Sequence, residues 1–177
     1  MIITILYFIA GIIVLVLIVA LFSRKAYSLQ REIIIHKPAE EVYEYVKYLR
    51  NQDNYIKWAM ADPDMRKTYT GTDAAVGFIS AWDSDKKGVG KGEQEILKLT
   101  NGTRVDYEIR FIKPFAGIAQ AHIFTENIEL NTTMVTWGFA SQMPYPMNIM
   151  LLFMNMEAML GKDLETGLSN LKSLLER

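Results

Sequence analysis

The sequence contains no cysteine, and charged side chains are missing from its first segment, Met1 to Phe22. Without cysteine the chain has no disulfide, no thiolate nucleophile and no cysteine-ligated metal centre. Histidine is also scarce, since His36 and His122 are the two in the chain and they form no metal-ligand spacing. The formal net charge of -1 gives no strong field for attracting nucleic acid. We therefore predict no nucleic-acid partner, no metal site and no cofactor.

The uncharged first segment is long enough to cross a membrane. A helix from Met1 to Phe22 would be about 33 Å long at about 1.5 Å per residue, against a hydrocarbon core of about 30 Å. A cleaved signal peptide is the main alternative, but the segment has no basic residue before it and no A-x-A cleavage site after it. A buried core helix fits poorly because the segment has no polar face. We predict a retained transmembrane anchor over residues 1–22.

The charges that follow the anchor predict its orientation. Arg24 and Lys25 lie directly after the apolar segment, while the α-amino group alone lies before it. Basic flanks favour the cytoplasmic side, so we predict a single-pass membrane protein whose soluble part is cytoplasmic. Residues 23–28 are predicted to be a short linker, and residues 29–177 a single domain without repeats or low-complexity tracts.

The domain has one strand, two short helices, then strands with turn residues between them. Apolar residues at helical spacing follow Lys37-Pro38, and a second short helix is predicted near Asn54 to Trp58. In residues 103–112, Val105 and Tyr107 alternate with charged residues, which indicates a sheet with one buried and one solvated face. The predicted strands are 29–35, 65–70, 77–82, 92–99, 103–112, 119–129 and 134–142.

A long C-terminal helix is predicted from Met147 to Leu175, with a leucine stripe along its second half. Its first half is apolar on nearly every side and rich in methionine. A sheet that curls around such a helix is the compact arrangement of these elements. The sequence therefore predicts an α+β fold in which about seven antiparallel strands surround the C-terminal helix, preceded by the transmembrane helix.

The chain resembles a known superfamily over residues 29–176. The resemblance is carried by the segments IHKPAEEV (35–42) and GVGKGEQEI (88–96), and by residues 62–65, 77–82, 113–115, 135–137 and 159–171. These are similar to the START/polyketide-cyclase-like superfamily, also called SRPBCC, and within it to the bacterial polyketide cyclase/dehydrase family. The resemblance implies a helix-grip fold and an apolar pocket between the sheet and the C-terminal helix. Members of the superfamily bind lipids or other hydrophobic molecules, and a minority are enzymes, so fold alone does not assign catalysis.

Pocket-lining candidates are the strand and helix residues expected to face this space. Tryptophan and tyrosine join a large apolar body to one hydrogen-bonding group, which suits a mostly apolar pocket with few polar anchors, although the same residues also fill cores. The predicted ligand-binding residues are Trp82, Gln94, Ile96, Tyr107, Ile109, Phe124, Trp137, Leu152, Phe153, Met156 and Leu160.

Catalytic candidates are weak. His122 is a lone strand histidine, which is more often a structural residue than a base. Glu93 and Glu95 share one strand face and resemble an acid–base pair, but Lys91 on the same side favours a solvated surface. The glycine-rich segment at 88–92 lacks the pattern and context of a phosphate loop. No catalytic residue is predicted.

Three functions remain open from the sequence. The first is a membrane-anchored module that binds a hydrophobic small molecule or lipid, the second is a cyclase or hydratase acting on a hydrophobic carbonyl compound, and the third is an interaction or stress-response module whose pocket is closed. We favour the first because no nucleophile–base pair is evident. The methionine-rich half of the last helix is predicted either to line the pocket opening or to face the membrane, or else to be covered by a loop or a second copy of the chain. Ligand identity and oligomeric state are left open.

Overall fold

The computed structural model of the protein describes residues 2–177. Its elements follow the predicted order, with a long N-terminal helix, a strand, short helices, six strands and a C-terminal helix. Two short 3-10 helices, η1 and η2, are interposed. The bounds are α1 Ile2–Phe22, β1 Ala26–Ile35, α2 Ala39–Val46, η1 Leu49–Asn54, α3 Lys57–Ala61, β2 Arg66–Thr70, β3 Ile79–Asp83, β4 Lys91–Thr100, β5 Arg104–Lys113, β6 Gly117–Glu129, β7 Thr132–Gln142, η2 Met147–Leu152 and α4 Met156–Leu175.

The strands form one seven-stranded antiparallel sheet in the order β1-β7-β6-β5-β4-β3-β2. Neighbours in sequence pair through hairpins, and β1 returns to pair with β7. The alternation in β5 is confirmed, because Val105 and Tyr107 are buried on the inner face while Arg104 and Asp106 lie on the outer face. The α+β helix-grip fold predicted from the sequence is thus the observed one.

Helix α4 crosses the inner face of the sheet and packs chiefly against β1. Leu164, Leu168 and Leu171 are buried in the main core, as the leucine stripe predicts. On the half of α4 nearer its N-terminus, Arg31 of β1 pairs with Glu165 at 2.6 Å. The side chain thereby ties the helix to the first strand.

The prediction of one continuous helix from Met147 to Leu175 is wrong. The segment divides into η2 and α4, with a break at residues 153–155. Asn155 caps the new helix, since its side chain accepts a hydrogen bond from the Ala158 N–H at 3.0 Å.

The single short helix predicted near Asn54 to Trp58 is also wrong, because Ile56 is extended and separates η1 from α3. In addition, β1 begins at Ala26, so residues 26–28 of the predicted linker belong to the sheet.

Helix α1 is 21 residues long with a mean hydropathy of 3.2, enough by length and composition to cross a membrane. It is exposed over almost its whole surface, but Ala20 near its end is 0 % exposed. There the Asn148 side chain of η2 donates hydrogen bonds to the carbonyl oxygens of Ala20 at 2.7 Å and Ser23 at 3.2 Å. Arg24 also donates to the Leu151 carbonyl at 3.4 Å. These contacts, here called the η2 clasp, supply partners for helix-end carbonyls that α1 itself leaves unpaired.

Candidate functional site

The inner face of the sheet presents its side chains in rows that cross the strands. Residues paired across an antiparallel sheet point to the same side, so the register defines each row. Two rows matter here, one at the end of the sheet nearest α1 and one a step further inside. The mouth row comprises Tyr27, Ser141, Ala119 and Ile109, and the deep row comprises Leu29, Phe139, Ala121 and Tyr107.

A groove of about 870 Å³ opens beside the mouth row. It lies where β1 and β6 begin and β7 ends, between this edge of the sheet and the first turn of α4. Its walls mix apolar side chains with polar and charged ones, among them the two cations that follow α1 and Glu157 in the first turn of α4. They include Arg24, Lys25, Tyr27, Met143, Leu151 and Met156. A space of this size falls within the usual range of small-molecule pockets.

Six predicted ligand-binding residues lie on the inner face of the sheet. Trp82 and Ile109 are half-buried, whereas Ile96, Tyr107 and Trp137 are fully buried. Gln94 is half-buried and its side-chain amide donates to the Gln52 oxygen at 2.7 Å. The buried members therefore stand in the core behind the groove, and their direct contact with a ligand stays a prediction.

The prediction that Phe124 faces the helix is wrong, because it pairs with Arg104 and lies on the outer face. The buried, inward-facing positions of β6 are occupied by alanine, isoleucine and threonine, at Ala119, Ala121, Ile123 and Thr125. Leu152 and Phe153 do not line the groove and are 52 % and 84 % exposed. Met156 lines the groove, and Leu160 packs against the main core.

Three buried polar atoms in or beside the deep row have no hydrogen-bond partner of normal geometry among residues 2–177. They are the amide nitrogen of Gln52 and the hydroxyl oxygens of Tyr55 and Tyr107. Burial raises the pKa of both tyrosines, and for Tyr107 the neighbouring Trp137 and Gln52 side chains act in the opposite direction. Unpaired buried polar groups are costly, so this cluster is suited to a hydrogen-bonding group of a bound molecule.

We expect Tyr107→Phe to raise the free energy of unfolding of the ligand-free protein by about 1 kcal/mol. The substitution removes a buried hydroxyl that has no partner and keeps the ring that packs in the core. Urea titration of the full chain in detergent micelles measures the change. Tyr48→Phe, at an exposed tyrosine, is the control and should change stability by less than about 0.5 kcal/mol. A clear destabilisation by Tyr107→Phe would contradict the assignment of an unpaired hydroxyl.

Sequence reasoning missed Gln52 and Tyr55. Both lie in or beside η1, a segment without the periodicity that marks helices or strands. Their burial depends on β4 and β7, which are distant in sequence, because Gln52 bonds to Gln94 and Tyr55 packs on Trp137. No local sequence signal indicates such contacts.

The candidate acid–base pair, Glu93 and Glu95, lies on the outer face of the sheet, opposite the mouth row and the deep row. Arg110 contacts Glu93 at 2.7 Å, Glu95 at 2.8 Å and Glu108 at 2.9 Å. These carboxylates raise the pKa of the Arg110 guanidinium. The arrangement is a partly solvated charge cluster, as Lys91 on the same side had indicated. Residues 2–177 contain no cluster of three or more acidic or histidine side chains that could hold a metal ion.

His122 also lies on the outer face, where its ring rests against Gly138. Burial lowers its pKa, and the nearby Arg104 lowers it further while Asp106 acts in the opposite direction. Arg104 and Asp106 are themselves paired at 2.7 Å. The histidine is therefore neutral in the folded protein at neutral pH, and it lies on the opposite face of the sheet from the mouth row and the deep row.

We expect His122 to make folding stability sensitive to acid. Its folded pKa lies below the ordinary value of about 6.5, so the unfolded chain binds more protons at mildly acidic pH. The stability contribution is complete above about pH 6.5 and falls as the pH drops through the folded pKa. Urea titrations from pH 7.5 down to pH 5, compared between wild type and His122→Gln, measure this component. Parallel pH profiles for the two proteins would contradict it.

Comparison with other proteins places this architecture in a family. A family model described as "Polyketide cyclase / dehydrase and lipid transport" matches residues 27–176. The curated protein sequences contain no match. Truncated norcoclaurine synthase from Thalictrum flavum is similar in structure, with 9 % identity, a TM-score of 0.63, and coverage of 88 % of this chain and 97 % of that one. A second structure of that synthase holds dopamine and hydroxybenzaldehyde.

Two further structures share the fold. The major latex-like protein 151 of Panax ginseng has 10 % identity and a TM-score of 0.61, covering 87 % of this chain and 100 % of that one. A Chromobacterium violaceum protein has 15 % identity and a TM-score of 0.59, covering 85 % and 97 %. At these identities the structures show the fold alone, whereas the family model spans residues 27–176, which include all seven strands except the first residue of β1, and the helices α2, α3 and α4. The chain belongs to the polyketide cyclase/dehydrase and lipid transport family.

Proposed function

We propose that the protein is a membrane-anchored module that binds a hydrophobic small molecule or lipid carrying a hydrogen-bonding group. The observation that carries the proposal is the groove of about 870 Å³ beside the mouth row. Its apolar lining residues, among them Met143, Leu151 and Met156, receive the hydrophobic body of the ligand, and its polar lining residues are available to the polar group. Its position next to α1 places it close to the bilayer. Tethering raises the effective concentration of the module at the membrane from which such a ligand comes.

The buried polar cluster supports a ligand that is not purely hydrocarbon. Tyr107 lies on the row directly behind the mouth row, and its hydroxyl has no hydrogen-bond partner of normal geometry within the described chain, although Trp137 and Gln52 lie beside it. Tyr55 and Gln52 place two more unpaired polar atoms in the same part of the core. A carbonyl or hydroxyl group reaching this depth would pair with them. Pockets of this kind combine apolar walls with a few such polar anchors.

The η2 clasp supports retention of α1 as an anchor. A cleaved signal helix has no reason to bury a residue in the mature domain, yet Ala20 is fully buried and Asn148 bonds to its carbonyl. The length of α1, about 31 Å at about 1.5 Å per residue, suits the bilayer core. Arg24 and Lys25 at its end favour a cytoplasmic domain.

The alternative, a cyclase or hydratase acting on a hydrophobic carbonyl compound, has little support from the site. It requires a general acid or base within hydrogen-bond reach of the bound carbonyl. His122 and Glu95 are on the opposite face of the sheet. Tyr107 remains, but burial raises its pKa, which makes it a hydrogen-bond donor rather than a base.

Native mass spectrometry tests the proposal. The full chain is purified from its own membranes in a mild detergent, and co-purified molecules are then extracted and identified. We expect one hydrophobic molecule per chain that carries a carbonyl, hydroxyl or similar polar group. If no molecule co-purifies and the protein does not bind hydrophobic fluorescent probes, the groove has no ligand, and a role as an interaction module is favoured instead.

A further inference from the structure

The antiparallel register brings several connections to the same end of the sheet as α1. Ala26 at the start of β1 pairs with Gln142 at the end of β7, and Phe111 near the end of β5 pairs with Gly117 at the start of β6. The α1–β1 junction, the β7–η2 connection and the β5–β6 turn therefore share one end, here called the proximal end. The β6–β7 turn, at residues 130–131, lies at the opposite end.

The proximal end exposes large apolar side chains from two separate elements. Phe115 in the β5–β6 turn is 68 % exposed, and Phe153 directly after η2 is 84 % exposed. Both elements border the groove, since Ala116 of the β5–β6 turn and Leu151 of η2 line it. A soluble surface rarely carries such a cluster without a partner.

The charges at this end fit an anionic lipid surface. Arg24, Lys25 and Lys113 form no ion pair with any residue of the described range 2–177. In contrast, residues 130–156, which include η2, contain no charged side chain at all. Peripheral segments bind anionic bilayers by placing apolar side chains in the interfacial region and basic side chains beside the lipid headgroups. The proximal end has both kinds of side chain.

The η2 clasp fixes the height of this surface relative to the membrane helix. Asn148 and Arg24 join η2 to the last turn of α1, and β1 begins only a few residues later. The domain therefore does not swing on a flexible linker. Since Phe22 ends the apolar helix, η2 sits at the level where α1 leaves the hydrocarbon.

We propose that the proximal end is a second membrane contact, in which η2 and the β5–β6 turn enter the interface of an anionic bilayer and hold the groove mouth against it. The inference rests on the proposed function, because it needs α1 to be a membrane anchor. The second contact gives the domain a fixed orientation relative to the bilayer. A hydrophobic ligand then passes between the bilayer and the groove without crossing bulk water.

Site-directed fluorescence tests this orientation, and the absence of native cysteine makes single-cysteine labelling clean. Phe153→Cys and Phe115→Cys are labelled with an environment-sensitive fluorophore in the full chain, reconstituted into equimolar phosphatidylcholine–phosphatidylserine vesicles. Leu130→Cys is the matched control, since Leu130 is 92 % exposed but lies at the opposite end of the sheet. Ile13→Cys, within α1, reports whether the anchor is inserted.

Brominated lipids should quench positions 153 and 115 at least about twofold and leave position 130 unchanged. If position 13 is quenched but 153 and 115 behave like 130, the second contact is wrong while the anchor stands. If position 13 is also unquenched, the anchor itself fails, and with it the proposed membrane function. Far-UV circular dichroism of each labelled variant verifies that the fold is intact.

Discussion

Trp137→Ala is expected to lower the free energy of unfolding by about 3–5 kcal/mol, the range for truncating a large buried aromatic side chain. Trp137 is 3 % exposed on the inner face of β7. Its ring meets Tyr55 edge to face, with the centroids 6.1 Å apart, and packs directly on Gly167 of α4. The substitution removes the contact that joins the centre of the sheet to the helix. Urea titration of the full chain in detergent micelles, followed by circular dichroism, measures the loss.

Trp82→Ala is the control for this prediction. Trp82 is half-buried near the edge of the sheet and packs against Phe111, so we expect a loss below about 2 kcal/mol. Equal losses for the two variants would contradict the assignment of Trp137 as the main structural tryptophan. Ligand binding by Trp82→Ala then tests separately whether this residue lines the pocket.

Substitution of Gly167 in α4 tests the same contact with Trp137. A Cβ at position 167 would lie 2.7 Å from the Trp137 ring, so Gly167→Ala should destabilise the protein by about 1–2 kcal/mol despite the better helix propensity of alanine. At Gly161 the added methyl meets the Arg31 guanidinium, a flexible group that can move away, so Gly161→Ala should be near neutral. In a Trp137→Phe background the cost at position 167 should largely disappear, since neighbouring substitutions that share one clash are not additive.

The fold was predictable because its signals are local. Alternation around Val105 and Tyr107, and turn residues such as Asn101-Gly102, indicate strands and hairpins without any knowledge of the partner elements. The break between η2 and α4 has one local signal, Asn155, whose side chain caps α4. The apolar residues on both sides of Asn155 instead indicated one continuous helix. The contact that holds η2 is not local, since Asn148 bonds to a helix end 128 residues earlier in the chain.

The candidate site was predicted less well, for a related reason. Strand parity separates the two faces of a sheet but does not indicate how deep an inner residue lies. Tyr107 and Ile109 share one face, yet Tyr107 is buried in the core and Ile109 is half-buried in the mouth row. Depth is set by the register of several strands and by the path of α4. Phe124 was assigned to the pocket, whereas its parity with His122 places it on the outer face.

Met156→Glu is expected to reduce occupancy by the co-purified hydrophobic ligand at least about tenfold. Met156 is half-buried in the first turn of α4 and lines the groove. A carboxylate there must either lose its hydration or exclude the ligand, and a penalty of about 1.4 kcal/mol already gives a tenfold weaker affinity. A glutamate is otherwise well tolerated at a helix N-terminus, so stability should change little. Native mass spectrometry of the full chain measures the ligand-bound fraction.

Met159→Glu is the matched control, with the same substitution three residues further along α4. Met159 is exposed and does not line the groove, so ligand occupancy should stay within about twofold of wild type. Comparable losses in both variants would indicate a general effect of charge on this helix rather than a groove. Unchanged occupancy in Met156→Glu would place the ligand elsewhere. A selective loss at position 156 therefore separates the groove beside the membrane anchor from the remaining surface of α4.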